Sequence, residues 1–187
     1  MEIRTTSLPG VLIVEPVVWR DPRGWLLESW QHERYAAAGI GLPFVQDNRS
    51  RSIRGTVRGL HLQVRRPQGK LVQVVRGEVF DVAVDVRPGS PTFGRWAGEV
   101  LSEDNARQMW IPPGFAHGFA VTTEDAVVEY KCTAPYDRES EVAVRWNDPE
   151  IGIDWPVATP LLSEKDATAP LLREVLDRLP AFAAVVP

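Results

Sequence analysis

The chain has 187 residues, of which 44% are apolar and 25% charged, a balance that supports an ordinary folded core and not a disordered chain. The net charge of −4 argues against bulk nucleic-acid binding, which depends on a basic surface, but leaves room for a small anion held by local arginines. No apolar run reaches the ~18 residues of a membrane span, and the opening MEIRTTSLPG has no secretory pattern. The single cysteine, Cys132, excludes an internal disulfide and a cysteine-rich zinc site. The expected compartment is the cytoplasm.

In chain order, the first predicted element is a helix over Ser29 to Ala38, stopped by Gly39 and Gly41. Strands follow over Arg54 to Val64, Lys70 to Val75, Glu78 to Val86, Phe93 to Leu101, Gln108 to Ile111, Phe115 to Thr122, Ala126 to Thr133 and Glu141 to Trp146. Arg76-Gly77 reads as a compact hairpin turn between two of them. Within Val79 to Val86, Phe80, Val82, Val84 and Val86 share one face and Asp81, Ala83 and Asp85 the other. The carboxylate face fits solvent first and a wet barrel lumen second. A C-terminal helix is expected after Pro170, where Leu171, Leu172, Val175 and Leu179 fall near one side. Many short strands, with 14 glycines and 16 prolines between them, indicate a mostly β sandwich or barrel. No repeat, low-complexity segment or linker divides residues 1–187, so a single domain is expected.

Three histidines are present. His32 lies among Gln31, Glu33 and Arg34 and reads as surface. His61 and His117 each sit in an apolar strand beside glycine. Such a histidine is commonly a hydrogen-bonded core residue, but two in a histidine-poor chain point to a site. A metal is poorly served: where a His-x-His pair would stand, the chain reads His61-Leu62-Gln63, and only His117 and Cys132 could help without His32. Without a metal, histidine is a general base that needs a carboxylate, and Asp81, Asp85 and Asp166 are all available. Arg58 and His61 fall on opposite faces of a regular strand, so sharing a site requires a bulge at Gly59. Arg23, Arg58 and Lys70 offer charge for a diphosphate, and no glycine-rich phosphate or nicotinamide fingerprint occurs. Only three of the 21 cations are lysines, Lys70, Lys131 and Lys165, a mild sign that a compact ammonium is wanted there.

Six stretches, QDNRSRS, RGLHLQ, QGKLVQVVRGEVFDVAVDVRPGSPTFG, WIPPGFAHGF, EYKCTAPY and LLSEKDATAP, occur in register. Together they closely resemble the dTDP-4-dehydrorhamnose 3,5-epimerase family of the cupin superfamily, over roughly Leu12 to Leu172. The resemblance implies a cupin-type jelly roll that works without metal or other cofactor, usually as a homodimer, on a dTDP-4-keto-6-deoxy sugar. It makes His61 the base, Asp166 its dyad partner, Tyr130 the proton donor on the other sugar face, and Lys70 the cation near the keto oxygen and phosphates. His117 lines the pocket. Nucleotide and sugar contacts carry over to Gln46, Asp47, Asn48, Arg58, Glu141 and Lys165, and Tyr136 matches the thymine-stacking tyrosine. Arg23 and Glu28 match residues that reach the neighbouring subunit's ligand. The chain departs from the family pattern at Leu62, Pro135 and Trp19, changes that leave the acid–base set intact but bear on how the sugar turns in the pocket. These motifs therefore leave open whether carbon 3, carbon 5 or both are inverted. A sugar 3,4-ketoisomerase and a non-catalytic nucleotide-sugar binder are the alternatives.

Overall fold

The computed structural model describes residues 1–182. Its strands are β1 (Glu2–Thr5), β2 (Leu12–Glu15), β3 (Val18–Asp21), β4 (Gly24–Leu27), β5 (Gln46–Ile53), β6 (Val57–Gln63), β7 (Lys70–Arg76), β8 (Glu78–Asp85), β9 (Trp96–Ser102), β10 (Gln108–Ile111), β11 (Phe115–Val121), β12 (Asp125–Cys132) and β13 (Glu141–Ala143). The α-helices are α1 (His32–Ala37) and α2 (Glu164–Ala167). Two open antiparallel sheets face each other, one ordered β1-β2-β10-β7-β12-β5 and the other β13-β6-β11-β8-β9, and β3 and β4 form a separate ribbon.

The inner core lies between the sheets. Ile13, Val72, Val74, Met109 and Val128 from the six-stranded sheet pack on Val79, Ala83, Leu101, Phe115 and Phe119 from the five-stranded one. The outer face of the five-stranded sheet is also dry. Its Leu60, Leu62, Val82, Val84 and Val142 are covered by Ile151, Leu172, Val175 and Leu179 from the C-terminal segment. Burying each such side chain stabilises the fold by about 1.5–3 kcal/mol. On the far side of the six-stranded sheet, Tyr35 of α1 joins Val14, Ile40, Leu71 and Trp110.

Several expectations are corrected by tertiary bonds. The early helix is shorter than Ser29 to Ala38, because the Ser29 carbonyl accepts from the Tyr35 hydroxyl (3.0 Å) and the Gln108 amide (2.6 Å) and is drawn out of any helical ladder. Gln31 caps it instead, its side chain accepting from Arg34 N at 2.7 Å. Arg76-Gly77 is not a hairpin: β7 pairs with β10 and β12, β8 with β9 and β11, so the turn carries the chain from one sheet to the other. The C-terminal helix is not one continuous α-helix but two short 3-10 helices, at Leu172–Glu174 and Leu176–Arg178. There the Asp148 carboxylate accepts from Leu172 N (2.7 Å), Glu174 accepts from Leu171 N (2.9 Å), and Arg145 N donates to Pro170 O (2.7 Å). These bonds hold each apolar residue over the sheet without a continuous helix.

Asp81 and Asp85 are both wholly buried, which overturns a solvated carboxylate face. Asp85 is sealed by Arg87, Ser90 and Thr92, whose hydrogen bonds hold its carboxyl below the usual range although burial acts to raise it. Asp81 faces the space between the sheets.

Candidate active site

The site begins with a kink. Gly59 has φ +135°, a conformation that L side chains rarely adopt. A Cβ there would lie 2.5 Å from Gly118 Cα, so the glycine pair lets β6 and β11 cross closely. The pairing slips at this point, between His117 and Phe119. The bulge shifts the facing of the strand, and Arg58 and His61 line one cavity of about 480 Å³. The slip at Gly59 is the irregularity that a site shared by these two residues requires.

His61 is half-buried, its side chain 24% exposed. Its Nε2 lies 2.6 Å from Oδ1 of Asp166, which is 105 residues away in sequence. The C-terminal segment reaches β6 through backbone bonds from Val57 N to Leu161 O (3.1 Å) and Leu161 N to Gly55 O (2.9 Å). Ser163 then caps α2 by accepting from Asp166 N at 3.1 Å, a contact of about 1 kcal/mol. Burial acts to raise the Asp166 carboxyl, but the bond to His61, its charge, Ser163 and Lys165 outweigh it and hold the group below the usual carboxylate range. Asp166 is therefore an anion poised to orient the imidazole and balance its charge.

The facing wall comes from the other sheet. Lys70 opens β7 and Tyr130 lies on β12, both in the six-stranded sheet, and both line the same cavity as His61. Burial pushes the Lys70 ammonium down, opposed by Cys132, Asp81 and Glu141, and no carboxylate lies within ion-pair distance of it among the described residues. Burial likewise raises the Tyr130 phenol, keeping it protonated and able to donate. His117 is directly across from His61 in the β11–β6 pairing, and its Nε2 lies 2.8 Å from Asp81 Oδ1. Burial holds the His117 imidazolium down despite Asp81. The second oxygen of Asp81 has no hydrogen-bond partner among the described residues. The open choice among carboxylates thus resolves residue by residue: Asp166 serves His61, Asp81 serves His117, and Asp85 serves neither.

A second lobe of about 310 Å³ shares His61, Lys70 and Tyr130 and extends past Asn48, Gln68, Tyr136 and Glu141. Gln46 accepts from Tyr136 N (2.8 Å) and donates to Asn48 (3.0 Å). One oxygen of Glu141 takes both the Tyr136 hydroxyl (3.2 Å) and the Lys165 ammonium (2.9 Å). Three of the predicted contact residues do not line either lobe, Arg23 and Glu28 having been expected at a neighbouring subunit's ligand. Alternation on β5 turns Asp47 away from Gln46 and Asn48, 69% exposed and paired with Lys131. Arg23 is 90% exposed at the ribbon turn and pairs with Asp21. Glu28 pairs with Arg34. His32 is exposed, as its neighbours predicted. Sequence reasoning missed Phe119, Leu161 and Leu162, which line the cavity. The Phe119 side chain was legible only as core, and no local pattern signals that Leu161 returns to β6.

A two-sheet sandwich that sets a histidine–aspartate dyad against a tyrosine and a lysine defines a cupin-like acid–base enzyme. The chain matches the dTDP-4-dehydrorhamnose 3,5-epimerase family over residues 5–174 and belongs to it; it is an isomerase of the epimerase kind. A dTDP-4-dehydrorhamnose 3,5-epimerase of Pseudomonas aeruginosa is 55% identical over 168 residues, 89% of this chain and 93% of that one. The Legionella pneumophila dTDP-6-deoxy-D-glucose-3,5-epimerase, solved with dTDP-4-keto-L-rhamnose, superposes with a TM-score of 0.95 at 50% identity over 97% of this chain and 98% of that one. A 4-keto-6-deoxy sugar epimerase from the novobiocin biosynthetic gene cluster of Streptomyces spheroides gives 0.96 at 41% identity, covering 100% of this chain and 96% of that one. Among the described residues no helix is long and apolar enough to cross a membrane.

Proposed function

We propose that this chain inverts a dTDP-4-keto-6-deoxyhexose at carbon 3, carbon 5 or both, through an enolate, with His61 as base and Tyr130 as acid. One observation carries the reading: His61 and Tyr130 enter one cavity from different sheets. A sugar lying between them meets a base on one face and a proton donor on the other, which is the requirement for inversion. Carbons 3 and 5 both flank the carbonyl, so loss of either proton gives an enolate shared with the carbonyl oxygen. His61 takes that proton as Asp166 balances the imidazolium. Lys70, which has no carboxylate within ion-pair distance among the described residues, meets the growing negative charge. Tyr130 returns a proton from the opposite side.

Arg58, Lys70 and Lys165 supply the positive charge for the diphosphate, and Tyr136, with Gln46 and Asn48, marks the nucleoside end. Residues 1–187 act as one cytoplasmic domain in this reading, and two copies form the working unit. Support for pairing comes from the β3–β4 ribbon, which joins neither sheet yet exposes Trp19 (52%), Trp25 (59%) and Leu26 (66%) beside Arg23. A neighbouring subunit would cover them and receive Arg23 and Glu28 at its ligand.

The test is incubation with dTDP-4-keto-6-deoxyglucose in deuterated water, followed by proton NMR. Deuterium with inversion at carbons 3 and 5 identifies a double epimerase, and at one carbon a mono-epimerase. No exchange at either, with dTDP still bound, refutes the catalytic reading.

A further inference from the structure

Gln63 stands where a His-x-His metal pair would have its second ligand, and the acid–base scheme gives it no task. It is 4% exposed, two residues along β6 from His61. Both N–H groups of its amide are committed: Nε2 donates to Arg66 O (3.0 Å) and Pro135 O (3.2 Å). Its Oε1 accepts from Asp137 N at 2.8 Å. These bonds grip the backbone on either side of Tyr136, whose own N–H goes to Gln46. Gln68 adds a bond to Ala134 O (2.7 Å). Residues 134–137 have no regular secondary structure, and among the described residues the Tyr136 side chain makes one hydrogen bond, to Glu141. The ring, 55% exposed, is therefore aimed by its backbone.

We infer that Gln63 is a positioning residue that fixes Tyr136 for the nucleoside base, an inference that rests on the proposed reading of Tyr136 as the stacking residue. Although Gln63 borders the cleft, it has no amide proton left to give a ligand, so its effect on binding passes through Tyr136. The same strand carries His61, so one rigid element sets the spacing between the base-binding end and the proton-transfer end of the site.

The test is a double-mutant cycle read by calorimetric titration with dTDP and by steady-state kinetics. Gln63→Met keeps the volume and removes all three bonds. The partners left behind, at Arg66, Pro135 and Asp137, lie in partly or fully exposed loops where water can satisfy them. The Kd for dTDP and the KM should each rise about tenfold, with kcat and saturated solvent exchange unchanged. In a Tyr136→Ala background the Gln63 substitution should add no further loss. Equal weakening in both backgrounds, wild-type affinity in Gln63→Met, or a fall in kcat alone overturns the inference. If Tyr136→Ala alone leaves dTDP affinity intact, the stacking assignment itself fails, a result distinct from those three. Gln63→Leu, which removes all three bonds without adding charge, serves in the same cycle with the same outcomes should Gln63→Met not fold.

Discussion

His61 and His117 face each other across neighbouring strands, each with an aspartate within hydrogen-bond distance, yet their surroundings differ. The His61 side chain is 24% exposed to the cleft and its Asp166 arrives from a distant segment; His117 is 7% exposed and its Asp81 lies on the adjacent strand at 0%. Burial keeps His117 from holding a proton, so it suits a fixed hydrogen-bonding role in the pocket wall. The His61 pair has solvent access, a carboxylate held ionised, and open space above it. In the proposed reading, that difference in access makes one pair a proton carrier and leaves the other in the pocket wall.

The strongest way to break this contrast is to remove each imidazole. His61→Ala should lower solvent-proton exchange into the sugar by about 10³-fold or more while dTDP affinity changes little, whereas His117→Asn should cost only about tenfold in kcat. Comparable losses from the two substitutions would erase the distinction. Asp166→Asn leaves the imidazole in place but removes its counter-charge, and should slow exchange by about 10²-fold, less than loss of the base itself. Rapid-quench or NMR exchange rates at saturating substrate give the comparison.

The smallest effect concerns stability. Because the native state resists protonating His117, the unfolded chain takes up that proton first as pH falls below about 6.5. The native state is favoured above that pH and loses this advantage as pH drops toward the lowered native value. The melting temperature should therefore decline between about pH 7 and pH 5 more steeply in the wild type than in His117→Asn. Parallel curves would show that His117 titrates normally.

Much of this contrast was legible in the residues. The strand runs around His61 and His117 lie within a few residues of the observed β6 and β11, and Gln108–Ile111 coincides with β10. Strand parity put Arg58 and His61 on opposite faces unless Gly59 bulged, and the pairing slips there. Less legible was whatever long-range contact decides. The pairing of Asp166 with His61 depends on Leu161 returning to β6. Asp85 looks like a candidate partner until the turn after it folds Arg87, Ser90 and Thr92 back onto its carboxylate. The spacing of Leu172, Val175 and Leu179 fits a helix as well as it fits the turns that form, because burial on the sheet satisfies both. Gln63 looked like an absent metal ligand, and its bonds to the Tyr136 segment span more than 70 positions.

The central claim, a base from one sheet and an acid from the other, is tested most directly by Tyr130→Phe in deuterated water. The account predicts that the sugar still exchanges its proton for deuterium at a measurable rate while inversion is lost, since His61 can remove and return a proton on its own face. Inversion at the wild-type rate would contradict it, because the acid would then have to be another group.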